Sequence, residues 1–232
     1  MTFDIVLITT GNRPQLLVQS LRSLKENSTR WADHTLTLVM DGCSAIAACQ
    51  EADVLPDRVI FQPDLQGASR SRNIGAGSTP EYLRKDALMF VDDDIYAVNG
   101  WDSHLSACLE HRKRTAFSGH AHPFNHTILG DTRHLGYQIT TVLSTVNITC
   151  PWEMWDTVGW FQEPGGAGAS EDVDWSRRAT AAGYDLAVSQ PHCIIHCGLT
   201  SGNGNKIVGY EHMVEQNKKL IGIYNLQGVH IE

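Results

Sequence analysis

Three consecutive carboxylates, Asp92, Asp93 and Asp94, close the short apolar run 87–91. Adjacent carboxylates repel one another, so they need a cation, basic partners, solvent or raised pKa values. A divalent metal bridging a diphosphate would supply that cation, and hard oxygen ligands suit Mg2+ or Mn2+. The plainer reading is an acidic loop or helix cap, since Asp is common at N-caps. Two further apolar runs end in polar groups: 3–9 leads into Thr9-Thr10, and 35–40 ends at Asp41. Asp41-Gly42 also suits a turn. In an open α/β sheet ligands gather beyond the carboxyl ends of the strands, so three such endings point to one site. Glu171 and Asp172 follow Ser170 at the start of a helical pattern. Carboxylates there are welcomed by the helix dipole, and one within reach of a hydroxyl could serve as a general base.

Other clusters carry less. In the run from His192 to Cys197, strand alternation sends His192 and His196 to one face and Cys193 and Cys197 to the other, which argues against a four-ligand zinc site. His120, His122, His126 and His134 lie in a polar stretch that reads as a solvated loop. Trp152, Trp155 and Trp160 are candidate sugar platforms for an acceptor, although tryptophans more often pack in cores or interfaces.

These residues need elements to position them. The run 3–9 reads as a strand, and the break at Gly11-Asn12-Arg13-Pro14 leads into a helix with Leu17, Leu21 and Leu24 on one face and Pro14 at its first position. Strands at 35–40, 58–61 and 87–91 alternate with helical segments to about residue 112, the signature of an α/β sheet with crossover helices. Beyond it, 137–149 is β-branched and reads as one or two strands, 171–182 as a helix stopped by Gly183, and 185–189 as a strand. Met213, Leu220, Ile221 and Tyr224 suggest a packed C-terminal helix at 210–224.

With 232 residues and 42% hydrophobic content, one domain with a real core is expected. A net charge of -8 argues against nucleic-acid partners, which call for basic excess. The N-terminal run lacks the basic start of a signal peptide, no run is long enough to span a membrane, and six scattered cysteines fit reduced thiols. A soluble, cytoplasmic protein is the expectation.

The order of these motifs resembles a GT-A fold glycosyltransferase, close to the large family 2 group. The resemblance rests on the first strand with Thr9-Thr10-Gly11-Asn12-Arg13, then Asp41, then Gly67 through Arg72-Asn73, then Phe90-Val91-Asp92-Asp93-Asp94. Thr157-Val158-Gly159-Trp160-Phe161 is similar to that family's "vGgF" segment, and Glu171-Asp172 to its "ED" helix start. The match covers roughly residues 3 to 200. It departs where the family often has a Pro-Thr-Tyr type segment and this chain has Ile8-Thr9-Thr10-Gly11.

The resemblance implies a single α/β GT-A domain, a nucleotide-binding mixed sheet flanked by helices with a C-terminal helix. Residues 1–112 would bind mainly the nucleotide sugar, 113–209 would carry the acceptor and catalytic part, and 210–232 the helix and tail. It also implies that Thr9, Arg13 and Asp41 lie near the nucleotide and Arg72 and Asn73 near the donor. Asp92 and Asp94 match the outer carboxylates of the Asp-x-Asp motif, with Asp93 between them at the donor. Asp94, Asp92 and His196 would hold Mn2+ or Mg2+. Each of these has a duller alternative: Arg72 as a surface helix residue and His196 as a satisfied strand histidine. Asp172 is expected to be the base and Glu171 to orient the acceptor or the site. The implied reaction moves a sugar from a nucleoside diphosphate to the hydroxyl of a glycan, lipid-linked saccharide or other acceptor, with inversion. A sugar nucleotidyltransferase would open with a glycine-rich phosphate loop that 9–13 matches poorly, and a dehydrogenase with a G-x-G-x-x-G that is not present. A sugar-binding module on an inactive transferase fold is the non-enzymatic alternative.

Overall fold

The structure is a computed structural model, and it describes residues 1–120, 136–163 and 171–197. The expected C-terminal helix, His122, His126, His134 and Ser170 fall outside the described residues.

Ten strands and six α-helices follow one another as β1 (Phe3–Thr9), α1 (Pro14–Glu26), β2 (Thr35–Asp41), α2 (Ile46–Ala52), β3 (Arg58–Gln62), α3 (Ala68–Gly77), β4 (Ala87–Asp92), β5 (Ile95–Ala97), α4 (Trp101–His111), β6 (Thr115–Ser118), β7 (Tyr137–Ile139), β8 (Asn147–Pro151), α5 (Trp152–Val158), α6 (Glu171–Ala181), β9 (Asp185–Ser189) and β10 (Ile194–His196) among the described residues. The order in the main sheet is β3-β2-β1-β4-β8-β6-β9-β7. The first four strands are parallel, β8 runs antiparallel to β4 and β6, and β7 antiparallel to β9. This is the expected mixed α/β sheet in one domain.

The parallel half forms because its inner strands β1, β2 and β4 are apolar on both faces. Ile5 and Leu7 pack with Leu38, Leu17, Leu21, Leu24 and Trp101, while Val6 joins Val39, Phe90, Trp155 and Trp175 on the opposite face. Such double burial suits strands covered by crossover helices on both sides. Helix α3 lies close against its strands: a Cβ on Gly75 would sit 2.3 Å from Val6 Cγ1, so no other residue fits without displacement.

The sequence carries no signal for β5, whereas β10 falls in the run whose strand alternation it does show. They pair as a two-stranded antiparallel sheet beside the main one, with His196 opposite Ile95. Cys193 and Cys197 are buried and His196 half-buried, which matches the alternation read from the sequence.

Candidate active site

β1, β2 and β4 are neighbours in the sheet, so their carboxyl ends deliver Thr9, Asp41 and Asp92 to one edge. They open onto a cleft of about 320 Å³ that Arg13, Leu65, Gly67, Ser71, Arg72 and Asp93 also line. Asp93 and Asp94 form the turn from β4 to β5. Helix α1 holds that turn: Ser20 Oγ accepts from Ile95 N at 2.9 Å and lies 2.9 Å from Asp93 O.

The acidic triplet is met by two guanidiniums, Arg13 and Arg72, by the Thr9 hydroxyl and by the His196 imidazole. Thr9 Oγ1 donates to Asp93 Oδ2 at 2.6 Å, and Arg13 Nη2 donates to Asp93 Oδ1 at 2.6 Å. Arg13 Nη1 donates to Asp94 Oδ2, the oxygen that also lies 3.2 Å from His196 Nε2. Arg72 Nη2 donates to Asp92 Oδ1 at 2.5 Å. The electrostatics follow from this arrangement. Burial, with Asp94 and Asp92 alongside, pushes the Asp93 carboxyl up to about 6 even against Thr9 and Arg13. Burial works to raise Asp94 as well, but the hydrogen bonds and charges of His196 and Arg13 outweigh it and hold its pKa below the ordinary value. His196 is raised in turn, because Asp94 outweighs the opposing burial.

Arg72 is not a surface residue: it is 2% exposed and connects the cleft to the helix bearing the acidic pair. Its Nη1 lies 3.5 Å from Glu171 Oε1, an oxygen that also accepts from Thr145 Oγ1 at 3.2 Å. Asp172 lies next in α6, with Oδ1 accepting from Val173 N at 2.8 Å. The triplet and the start of α6 are therefore joined through one buried guanidinium.

Several expected roles change. Asn73 is spent on the backbone: Nδ2 donates to Phe161 O and Oδ1 accepts from Phe161 N, both at 2.9 Å, so its amide clamps the segment after α5 rather than facing a donor. Asp41 borders the cleft, but its two oxygens accept from Gln66 N at 2.7 Å and Gly67 N at 2.8 Å, which shapes the loop into α3. Gly67, with φ at +89°, makes that bend. Trp152 and Trp155 are core residues: Trp152 Nε1 donates to Asp4 Oδ2 at 3.0 Å, and Trp155 packs on Phe90, Phe161 and Trp175. Neither can serve as an acceptor platform; of the three tryptophans only Trp160 is exposed, at 56%. Sequence reasoning missed Ser20, Leu65 and Thr145, whose residue types carry no signal without their spatial neighbours.

Among the described residues, no three His, Cys, Asp or Glu side chains are grouped as a preformed metal site. The donor set nevertheless suits a divalent cation. Asp94 Oδ1 is buried without a hydrogen-bond partner, and His196 stands at its other oxygen. Mg2+ is commonly held by one or two carboxylates with substrate phosphates completing its shell, so a full protein cage is not required.

The chain shares its fold with a solved structure of GalNAc-T7 with UDP, GalNAc and Mn2+, at a TM-score of 0.71 and 14% sequence identity. The alignment covers 92% of this chain and 48% of that one, so the chain spans about half of its neighbour's length. The likeness establishes a GT-A-like fold. Neither a protein-family model nor a curated protein sequence matches the chain. Among the described residues no helix is long and apolar enough to cross a membrane.

Proposed function

We propose that the chain is a metal-dependent glycosyltransferase that moves a sugar from a nucleoside diphosphate to an acceptor hydroxyl, with inversion. The observation that carries this reading is the meeting of Thr9, Asp92 and Asp93 on one cleft of a GT-A-like sheet, with Arg72 joining Asp92 to Glu171. Binding of UDP and Mn2+ by the structural neighbour supports a nucleotide-sugar donor and a divalent cation.

Asp94, Asp92 and His196 would hold the metal. When bound, Mn2+ or Mg2+ supplies Lewis-acid neutralisation of the departing diphosphate. The cleft walls around Thr9, Leu65 and Gly67 receive the nucleotide, and Arg72 orients Asp92. Asp172 takes the proton from the attacking hydroxyl, while Glu171, held by Arg72 and Thr145, fixes the start of α6. The exposed Trp160 is the remaining aromatic candidate for the acceptor sugar, and the acceptor is a glycan, lipid-linked saccharide or other hydroxyl compound rather than a nucleic acid. Six free cysteines favour a reducing compartment, in keeping with the cytoplasm.

The test is a thermal-shift screen of nucleoside diphosphates and their sugars, with Mn2+ and with EDTA, followed by an assay of sugar transfer. A ligand that binds only the native state raises the melting temperature. UDP or another nucleoside diphosphate should do so in Mn2+ and lose the effect in EDTA. Binding without transfer or donor hydrolysis would support the inactive-module alternative, and undiminished turnover in excess EDTA would remove the metal.

A further inference from the structure

Arg13 is an unusual residue at the N-cap of α1, where short oxygen-bearing side chains are favoured because they accept from the free N–H groups. It makes no capping bond. Both of its terminal nitrogens go instead to the acidic turn, Nη2 to Asp93 Oδ1 and Nη1 to Asp94 Oδ2. Those carboxylates are 3% exposed, whereas the Arg13 side chain is 35% exposed and borders the cleft. Arg72 contrasts with it, being 2% exposed and held between Asp92 and Glu171. Of the two guanidiniums on the triplet, Arg13 is the one with room to leave. A guanidinium does not lose its proton in the working pH range, so a cation approaching the unpartnered Oδ1 of Asp94 meets a fixed positive charge on the other oxygen of the same carboxylate.

Resting on the metal-dependent reading above, we propose that Arg13 competes with the divalent metal for Asp94 and thereby makes metal and diphosphate bind as a coupled pair. Metal alone must bind against the Arg13 charge or displace it without compensation. With a diphosphate present, the displaced guanidinium gains a new anionic partner at the cleft wall, and charge-assisted pairing of arginine with phosphate is strong. By linkage, each ligand then raises the affinity for the other by the same factor.

Mn2+ titration followed by electron paramagnetic resonance, with and without UDP, tests this on the wild type, Arg13→Gln and Arg13→Lys. Without nucleotide, Arg13→Gln should bind Mn2+ about tenfold more tightly than the wild type, the scale expected for removing one nearby like charge in a partly buried site. Adding UDP should strengthen Mn2+ binding less in Arg13→Gln than in the wild type. Arg13→Lys, whose ammonium pairs with one carboxylate at a time, should fall between them. Circular dichroism checks folding, and should Arg13→Gln not fold, the comparison passes to Arg13→Lys, which must still bind Mn2+ more tightly than the wild type. Equal or weaker Mn2+ affinity in the folded variant overturns this inference alone. Absence of Mn2+ binding in wild type and variants alike, with or without UDP, overturns the metal reading and this inference with it.

Discussion

Asp172 and Glu171 stand side by side at the start of α6, yet only Glu171 is tied into the buried network, by Arg72 at 3.5 Å and Thr145 at 3.2 Å. Glu171 is already held in place by these two partners, so the division of labour proposed here gives the base role to Asp172. Asp172→Asn keeps the side chain's shape and should lower sugar transfer by about 10² while metal-dependent donor binding persists. Steady-state rates at saturating substrates check this, and a near wild-type rate would remove both the base and the reason for inversion. Glu171→Gln should damage the chemical step less. At the metal end, Asp94→Ala should abolish the Mn2+-dependent part of the nucleotide-induced thermal shift, whereas a shift that survives intact in the variant assigns the metal elsewhere.

At the scale of elements, the site depends on how α1 and α4 are anchored. Asp102, second residue of α4, is 1% exposed and accepts from Ser28 Oγ at 2.7 Å, Thr29 N at 2.9 Å, Arg30 N at 3.0 Å and Ser103 N at 2.9 Å, with His34 Nε2 at 3.2 Å. His34 Nδ1 accepts from Phe3 N, so the proton resides on Nε2 and points at Asp102. Burial opposes the charge of Asp102, but the bonds from His34, Thr29, Ser28 and Ser103 outweigh it and hold its pKa well below the usual carboxylate range. A depressed folded-state pKa stabilises the fold above the unfolded value of about 4 and loses that contribution as pH falls below it. Asp102→Ala should therefore cost about 3–5 kcal/mol near neutral pH, with a smaller difference in acid, as read from denaturant midpoints across pH. A pH-independent difference would contradict the linkage. Gly75→Ala should cost about 1–3 kcal/mol, because the new methyl meets Val6 at 2.3 Å across the α3–β1 contact.

For the whole molecule, the sheet divides the apolar interior into two layers, and the tryptophans report on one of them. Trp155 sits among Phe90, Phe161 and Trp175 in the layer under α5 and α6, next to the Asn73 clamp on Phe161. Trp155→Ala should cost about 3–5 kcal/mol by denaturant unfolding, the usual scale for emptying an aromatic core position. Trp160→Ala should change stability by no more than about 0.5 kcal/mol, as exposed substitutions do, and any effect should appear in acceptor KM. Equal destabilisation by the two substitutions would contradict the assigned burial.

From the sequence alone followed the parallel strands, their apolar faces, the Pro14 start of α1 and the polar endings at Thr9, Asp41 and Asp92. Each is written in local patterns of period, turn chemistry and charge, which act over a few residues. What a polar side chain touches is not local. Asn73 meets Phe161 and Arg72 meets Glu171 across long stretches of chain, and Trp155 is buried because α5 packs on β4. The β5–β10 pair joins segments about a hundred residues apart, and through it His196 reaches Asp94. Those partners are chosen by which surfaces the folded sheet and its two helix layers bring together, so only the tertiary structure decides whether a charged residue faces the cleft, a counter-ion or the core.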